Sequence, residues 1–501
     1  MACTTILVGK NASYDGSTLI ARNEDCGNGE MNLKKFKVVT PDKQPRHYKS
    51  YGGHLEIDLS DLTPLRYTST PDAVEDVIGI WAEAGINAAN VAMTATETIT
   101  SNARVLGADP LVELIPAQGK PGEEGYVPEI PGGIGEEDLV TLVLPYIHSA
   151  REGVERLGKL LETYGTYEMN GIAFSDVDEI WYLETIGGHH WIARRVPDDS
   201  YVTLPNQLGI DFLDLEACFG EKREYMCSAD LLEFVAENHL NLNRDDEPFN
   251  PRDVFGSHTD ADHVYNTPRA WIMQRYLNSH AIDWDVTDAI FTPQSDDIPW
   301  CCVPEKKITI EDIHYILGLH YQNTPYDPYG GGDQADIYRP IGINRTCEMS
   351  ILQIRPYAPE EIRAIQWLSL GCNVFNAPVA IYTNIDKEPS YVSNTTDTCT
   401  TENMYWTNRL IAALCDNNYG ETANTIEAYQ QTVEAHDHAM VIATDKKYAE
   451  EKPEGAELSQ MLQKANEENI RFIKKQTDKL LGQVLLVAYN NMKNAYDRND
   501  A

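Results

Sequence analysis

Cys3 stands two residues into the chain, behind only Met1-Ala2. If those two were removed, one residue would carry both a thiol and a free α-amine. That combination places a nucleophile and a base together, the minimum needed to open an amide. An α-amine has an ordinary pKa near ~7.7–8.0, so it accepts a proton close to neutrality. The thiolate is the reactive form of the sulfur, and a neighbouring guanidinium favours it. In Ile20-Ala21-Arg22-Asn23-Glu24-Asp25, Arg22 is the candidate for that cation and Asp25 for a carboxylate that orients the amine or the arginine. The plainer reading of Cys3 is a small buried strand residue.

These groups can meet only if the chain doubles back. Cys3 to Gly9 is rich in β-branched residues, Asn11-Ala12-Ser13-Tyr14-Asp15-Gly16 has turn chemistry, and Ser17 to Arg22 reads as the returning strand. Depending on how the turn closes, an antiparallel ladder then returns Arg22 to Asp25 to within a few residues of Cys3. A second hairpin is expected from Val77–Ala84 and Val91–Thr96, around Asn87-Ala88-Ala89-Asn90. A third is expected from Glu179–Ile186 and His189–Val196, around Gly187-Gly188. Gly107 to Glu136 reads as a loop or lid, Leu139 to Leu161 as helical, and Asn241 to Asp312 as loop-rich with short helices. Ile341 to Arg355 returns to strand character. Beyond Thr422 two apolar stripes run at helical spacing, one through Ile426, Tyr429, Val433 and Met440, the other from Leu458 to Leu485, separated at Pro453 and Gly455. Early strands and late helices predict an α+β chain with sheets covered by helices, not a doubly wound parallel fold.

Composition narrows the function. With 78 acidic against 40 basic residues, the formal charge of −38 disfavours nucleic acid and anionic membrane surfaces. No run approaches the ~18 apolar residues of a membrane span, and no secretory signal opens the chain. Ten scattered cysteines without a CxxC pair read as free thiols of a reducing compartment, so a cytoplasmic protein is expected. No GxGxxG, GxxxxGK[ST], HExxH or GxSxG sequence occurs, and neither a cofactor nor a metal is expected. Adjacent strand residues His189 and His190 should face opposite ways and cannot share a metal, and the same holds for His436 and His438 on a helix.

The run Cys3-Thr4-Thr5-Ile6-Leu7-Val8-Gly9-Lys10, with Asp15-Gly16-Ser17-Thr18 and Ile20 to Asp25, resembles the dipeptidase A family of N-terminal-nucleophile cysteine peptidases. The likeness continues at Gly85-Ile86-Asn87, Ala92 to Thr98, Glu179 to Thr185, His190 to Asp199, Pro205-Asn206-Gln207, and Tyr338-Arg339-Pro340-Ile341 through Arg345-Thr346. More distantly the chain is similar to bile-salt hydrolases and penicillin V acylases.

The resemblance implies a four-layer αββα N-terminal-nucleophile hydrolase fold over residues 1–420, with a C-terminal helical extension, 421–501, packed on it. It further implies cleavage of dipeptides in the cytoplasm, no metal, and a homo-oligomer. By the same resemblance Cys3 is the nucleophile, Arg22 and Asp25 surround it, Asn206 holds the oxyanion and Arg345 is a later active-site arginine. Asp327, in Thr324-Pro325-Tyr326-Asp327, could receive a dipeptide's ammonium group or simply close a turn. The acylases carry Met alone before the cysteine, whereas here Ala2 intervenes, so a self-catalysed cleavage of the Ala2–Cys3 bond is expected. An amide acylase of the same fold and a non-catalytic interaction protein are the alternatives.

Overall fold

The computed structural model describes residues 2–74, 77–244, 247–284 and 289–494. Strands are numbered in chain order. The larger sheet has seven, in the spatial order β14 (Cys301–Cys302), β12 (Tyr201–Leu204), β1 (Ala2–Val8), β2 (Thr18–Asp25), β15 (Thr346–Ile354), β16 (Ala364–Leu370) and β17 (Val379–Tyr382). The smaller has six: β13 (Tyr225–Cys227), β11 (His190–Arg195), β10 (Ile180–Ile186), β9 (Asn170–Ser175), β8 (Ala92–Thr98) and β7 (Ala84–Ile86). Two ribbons, β3 (Lys37–Val39) with β6 (Tyr67–Ser69) and β4 (His47–Lys49) with β5 (Glu56–Asp58), complete the strands among the described residues.

The sheets pack face to face. Leu7, Ile20, Val202 and Leu352 of the larger meet Ala173, Tyr182 and Ile192 of the smaller in one buried core. The alternate residues Ile6, Val8, Leu19 and Ile351 point outward into a second core. That core is closed by the helices Thr267–Leu277, Ile310–Leu317, Met404–Cys415, Tyr419–Glu451 and Gly455–Asn490. Phe174, Trp181 and Leu183 pack on the far side against Val154, Leu157 and Leu161 of the helix Ala150–Tyr164. The layers therefore run helix, sheet, sheet, helix, the four-layer αββα arrangement.

β1 and β2 sit centrally, so both their faces are covered, and all eight residues of β2 are buried. One end of β2, Thr18-Leu19-Ile20-Ala21, suits such a place. The other, Arg22-Asn23-Glu24-Asp25, is entirely polar. Burying four polar residues in a row is costly unless each finds partners, and that end of the pair holds the candidate site. The β1–β2 turn uses Gly16 at φ +85 and an Asx turn from Asp15 Oδ1 to the Ser17 N–H, 3.0 Å.

The second hairpin is shorter than its apolar run suggests. β7 starts only at Ala84, because Trp81 and Glu83 both adopt left-handed backbone, φ +47 and +56. The helical stretch from Leu139 breaks at Leu144–Tyr146, where Pro145 cannot donate a backbone hydrogen bond, and restarts behind the Ser149 cap. His189 and His190 do not diverge. His189 belongs to the Gly187-Gly188 turn, not to β11, and both Nδ1 atoms reach Asp109, at 3.0 and 2.7 Å.

The two long C-terminal helices break at Lys452, φ +46, before Pro453. Ile426, Val433, Ile473 and Val484 share the core with β17, while Leu485 lies exposed. A polar contact also ties them to the sheet. Asp437 Oδ1 accepts the Ala380 N–H at 3.2 Å and the Asn469 amide at 2.5 Å. Burial pushes this carboxyl up to about 7, against the opposing pull of the Asn469 and Ala380 hydrogen bonds. A raised pKa means the folded chain holds the proton more tightly. The group's contribution is thus complete below about pH 4, the ordinary value, and is lost as pH rises through about 7. Asp437→Asn, which imitates the neutral acid, should raise Tm relative to wild type more at pH 8 than at pH 5. A gap that stays constant across that range would contradict this account.

Candidate active site

The hairpin register pairs Ala2 with Asp25, Cys3 with Glu24 and Thr5 with Arg22. Cys3, Arg22 and Glu24 consequently share one face of the sheet, and Asn23 and Asp25 the other. Cys3 is fully buried in a chain that still carries Ala2; Met1 lies outside the described residues. Arg22 Nη2 donates to Cys3 Sγ at 2.6 Å, as the sequence suggested. Its other terminal nitrogen pairs with Glu83 Oε2 at 2.5 Å. Burial works against the Arg22 charge, but the attraction of Cys3, Glu83 and Glu24 outweighs it and holds its pKa well above the ordinary value.

The backbone nitrogen of Cys3 has its own partner. It donates to Asn206 Oδ1 at 3.1 Å, just past the end of β12, which lies beside β1 in the sheet. Arg269 Nη2 donates to the same oxygen at 2.8 Å. Two donors converging on one atom identify it as the carbonyl of the amide and turn Nδ2 the other way.

Arg269 is a site residue that sequence reading missed. It is fully buried on the helix Thr267–Leu277, where Nη1 donates to the Cys3 carbonyl and, at 2.7 Å, to Thr4 Oγ1. Nε and Nη2 are held by the Tyr265 carbonyl at 2.7 Å and Asn266 Oδ1 at 2.8 Å. One guanidinium thus fixes both the Cys3 backbone and the asparagine. An arginine set in the largely apolar run Pro268-Arg269-Ala270-Trp271-Ile272-Met273 is a sequence signal that could have pointed to it.

Asp25 lies on the opposite face of β2 from Arg22. Its carboxylate accepts Thr346 Oγ1 at 2.6 Å and a hydrogen bond from Arg339 Nη2. It adjoins Ala2 by register; the hydrogen bonds that hold its carboxylate run to β15 and to the loop carrying Arg339. Arg345 stands further out, donating to the Cys26 carbonyl at 3.1 Å and to Tyr265 OH at 3.4 Å. Tyr265 is the meeting point, with Arg269 and Arg339 over its ring at 5.2 and 4.9 Å. Burial alone would raise the Tyr265 pKa; Arg339 and Arg345 bring it below the ordinary value. Asp327 closes a turn, accepting the Tyr329 N–H at 3.0 Å and pairing with His320 at 2.9 Å. Its hydrogen bonds do not run to the Cys3 cluster. Among the described residues no group of three or more His, Cys, Asp or Glu is arranged to hold a metal ion.

The arrangement holds a sulfur against a cation, holds the nitrogen of the same residue on a separate acceptor, and keeps a primary amide beside both. That is equipment for acyl transfer. Replacing Arg22 with Gln should shift the Cys3 thiol to a higher titration range. Iodoacetamide labelling of Cys3 at pH 7, followed on its own peptide by mass spectrometry, should slow about tenfold or more. Unchanged labelling in a folded variant would remove Arg22 from this role.

Comparison with known proteins agrees with this chemistry. The sequence profile of Peptidase family C69 matches residues 2–432. The chain is 54% identical to a dipeptidase of Bifidobacterium longum over the whole of both chains. It is 50% identical to a probable dipeptidase A of Streptococcus pyogenes, again over both full lengths, and 46% identical to dipeptidase A of Lactobacillus helveticus over 99% of each. A solved structure, a mutant of the conjugated bile acid hydrolase of Clostridium perfringens, aligns with 77% of this chain and 94% of its own at 12% identity and a TM-score of 0.34.

Proposed function

The chain belongs to peptidase family C69, and from that premise we propose a dipeptidase in which Cys3, freed of Met1-Ala2, is the nucleophile. One observation carries the reading: the sulfur and the nitrogen of Cys3 are held by different partners, Arg22 and Asn206. The thiol can therefore be activated without disturbing the amine. Once the Ala2–Cys3 bond is cut, the same nitrogen becomes the α-amine. Asn206 Oδ1 then accepts one of its N–H bonds and orients its lone pair for the thiol proton.

The thiolate attacks the carbonyl of the dipeptide, and the oxyanion forms against Asn206 Nδ2 and a backbone N–H. Collapse expels the C-terminal amino acid as its amine, protonated by the Cys3 ammonium, and leaves a thioester on Sγ. Water, deprotonated by the same amine, releases the acyl half. Arg269 keeps nucleophile and oxyanion donor at fixed separation, and Asp25 closes the end of the strand pair beside the α-amine. Arg345, next to Tyr265, acts on this reading toward the substrate and not toward the sulfur.

The register supports self-processing, since the Ala2–Cys3 bond lies within the β1–β2 ladder next to the thiol it would need. None of the ten cysteines is in a disulfide, in keeping with a reducing cytoplasm, and no helix among the described residues is long and apolar enough to cross a membrane. Assembly as a homo-oligomer completes the proposal.

Intact mass and dipeptide turnover, read together, test it. Wild type should lack Met1-Ala2 and hydrolyse dipeptides, and Cys3→Ala should retain Ala2 and do neither. Ala2 retained in fully active wild type would overturn the processing step. Asn206→Ala should lower kcat by about 10²–10³-fold, the cost of one oxyanion donor; an Asn206→Ala enzyme of near wild-type kcat would overturn that assignment.

A further inference from the structure

Arg22 is shared between the sulfur and a carboxylate. Glu83 Oε2 grips Nη1 at 2.5 Å, so the fork of the guanidinium is fixed with Nη2 directed at Cys3 Sγ, 2.6 Å away. The backbone that delivers Glu83 is strained. It lies at φ +56 with Trp81 at φ +47 two residues earlier, and side chains of this size rarely take that conformation. Its carbonyl is anchored to β8 by the Ala95 N–H at 2.7 Å. Such strain persists only where the surroundings enforce it, and here it brings one carboxylate to one arginine.

Further buried charges lie about this pair. Lys34, fully buried, lies 2.8 Å from Glu24, 2.7 Å from Asp72 and 3.9 Å from Glu83, and donates to the Trp81 carbonyl at 2.9 Å. Glu348 on β15 stands opposite Glu24 and accepts from Ser350 at 2.8 Å. Glu136 adds a further carboxylate acting on both Arg22 and Glu83. Burial pushes the carboxyls of Glu24, Glu83 and Glu348 upward; Arg22 and then Lys34 pull against it at Glu83, which still stands raised, at about 8.

We infer that Glu83 is a positioning residue for the nucleophile, setting through Arg22 both the direction of the guanidinium and the share of its charge that the Cys3 sulfur feels. The inference rests on Cys3 being the nucleophile. A cation between a thiolate and a carboxylate is divided between them. Neutralising the carboxylate leaves more of the cation to the sulfur, so the thiol should ionise at lower pH. The resulting thiolate is a weaker nucleophile, because nucleophilicity falls with basicity.

The test is the pH dependence of iodoacetamide labelling of Cys3, read on its peptide, beside kcat for a dipeptide in processed enzyme. Glu83→Gln keeps the shape and removes the charge. Its labelling midpoint should fall by about one pH unit while kcat drops. Glu83→Asp keeps the charge but draws it back by one methylene. It should move the midpoint the same way by less, and it decides the matter if the Gln variant does not fold. A purely structural Glu83 would lower the yield of folded protein and leave the midpoint in place. An unmoved or raised midpoint in a folded variant, with labelling of wild type still abolishing activity, overturns this inference alone. Labelled wild type that still cuts dipeptides would instead overturn the nucleophile and this inference with it.

Discussion

A guanidinium with no water around it has to be neutralised where it stands, and Arg22 is such a group. It is buried on a strand that is covered on both faces. A charge in that position is tolerated only if partners come to it. The structure supplies Cys3 on one side and Glu83 on the other, and both arrive through main-chain geometry. The hairpin register brings Cys3, and a left-handed backbone at Glu83 brings the carboxylate.

The sandwich is what keeps that end of the hairpin dry. β1 and β2 carry apolar residues on both faces toward Val8 and Thr18, and these are consumed by the inter-sheet core and by the helical layer. At the opposite end the same covering encloses polar side chains instead. Low dielectric strengthens every interaction there, so small displacements of one charge are felt by the next. Arg269 extends this economy to the backbone, since one side chain binds the Cys3 carbonyl, Thr4 and Asn206 at once.

Much of this was legible in the linear chain because it is local. The Asn11–Gly16 turn and the β-branched run after Cys3 predict the first hairpin, while its register depends on how the turn closes. Arg22 beside Cys3 was readable for that reason, as were the hairpin at Gly187-Gly188 and the helix break at Pro453. Readings that went astray failed where a local pattern met a non-local demand. Val77 to Ala84 looks like a strand, but left-handed backbone at Trp81 and Glu83 delays the strand to Ala84 and delivers Glu83 to Arg22. Leu139 to Leu161 has helical spacing, but Pro145 interrupts it. His189 and His190 alternate on paper, yet the turn rotates one of them so that both meet Asp109.

Sequence by itself determined the identity of the nucleophile candidate, the strand that returns a cation to it, the α+β class and, through family likeness, the chemistry of a peptidase. It could not determine Arg269 or Glu83. Arg269 is 266 residues from Cys3 along the chain, and Glu83 is a carboxylate whose partner depends on an unusual backbone angle. Turn chemistry and periodicity report which residues neighbour one another along a strand or helix. Which charges share a buried pocket is settled only when whole layers close over them, because only then must each charge find its opposite.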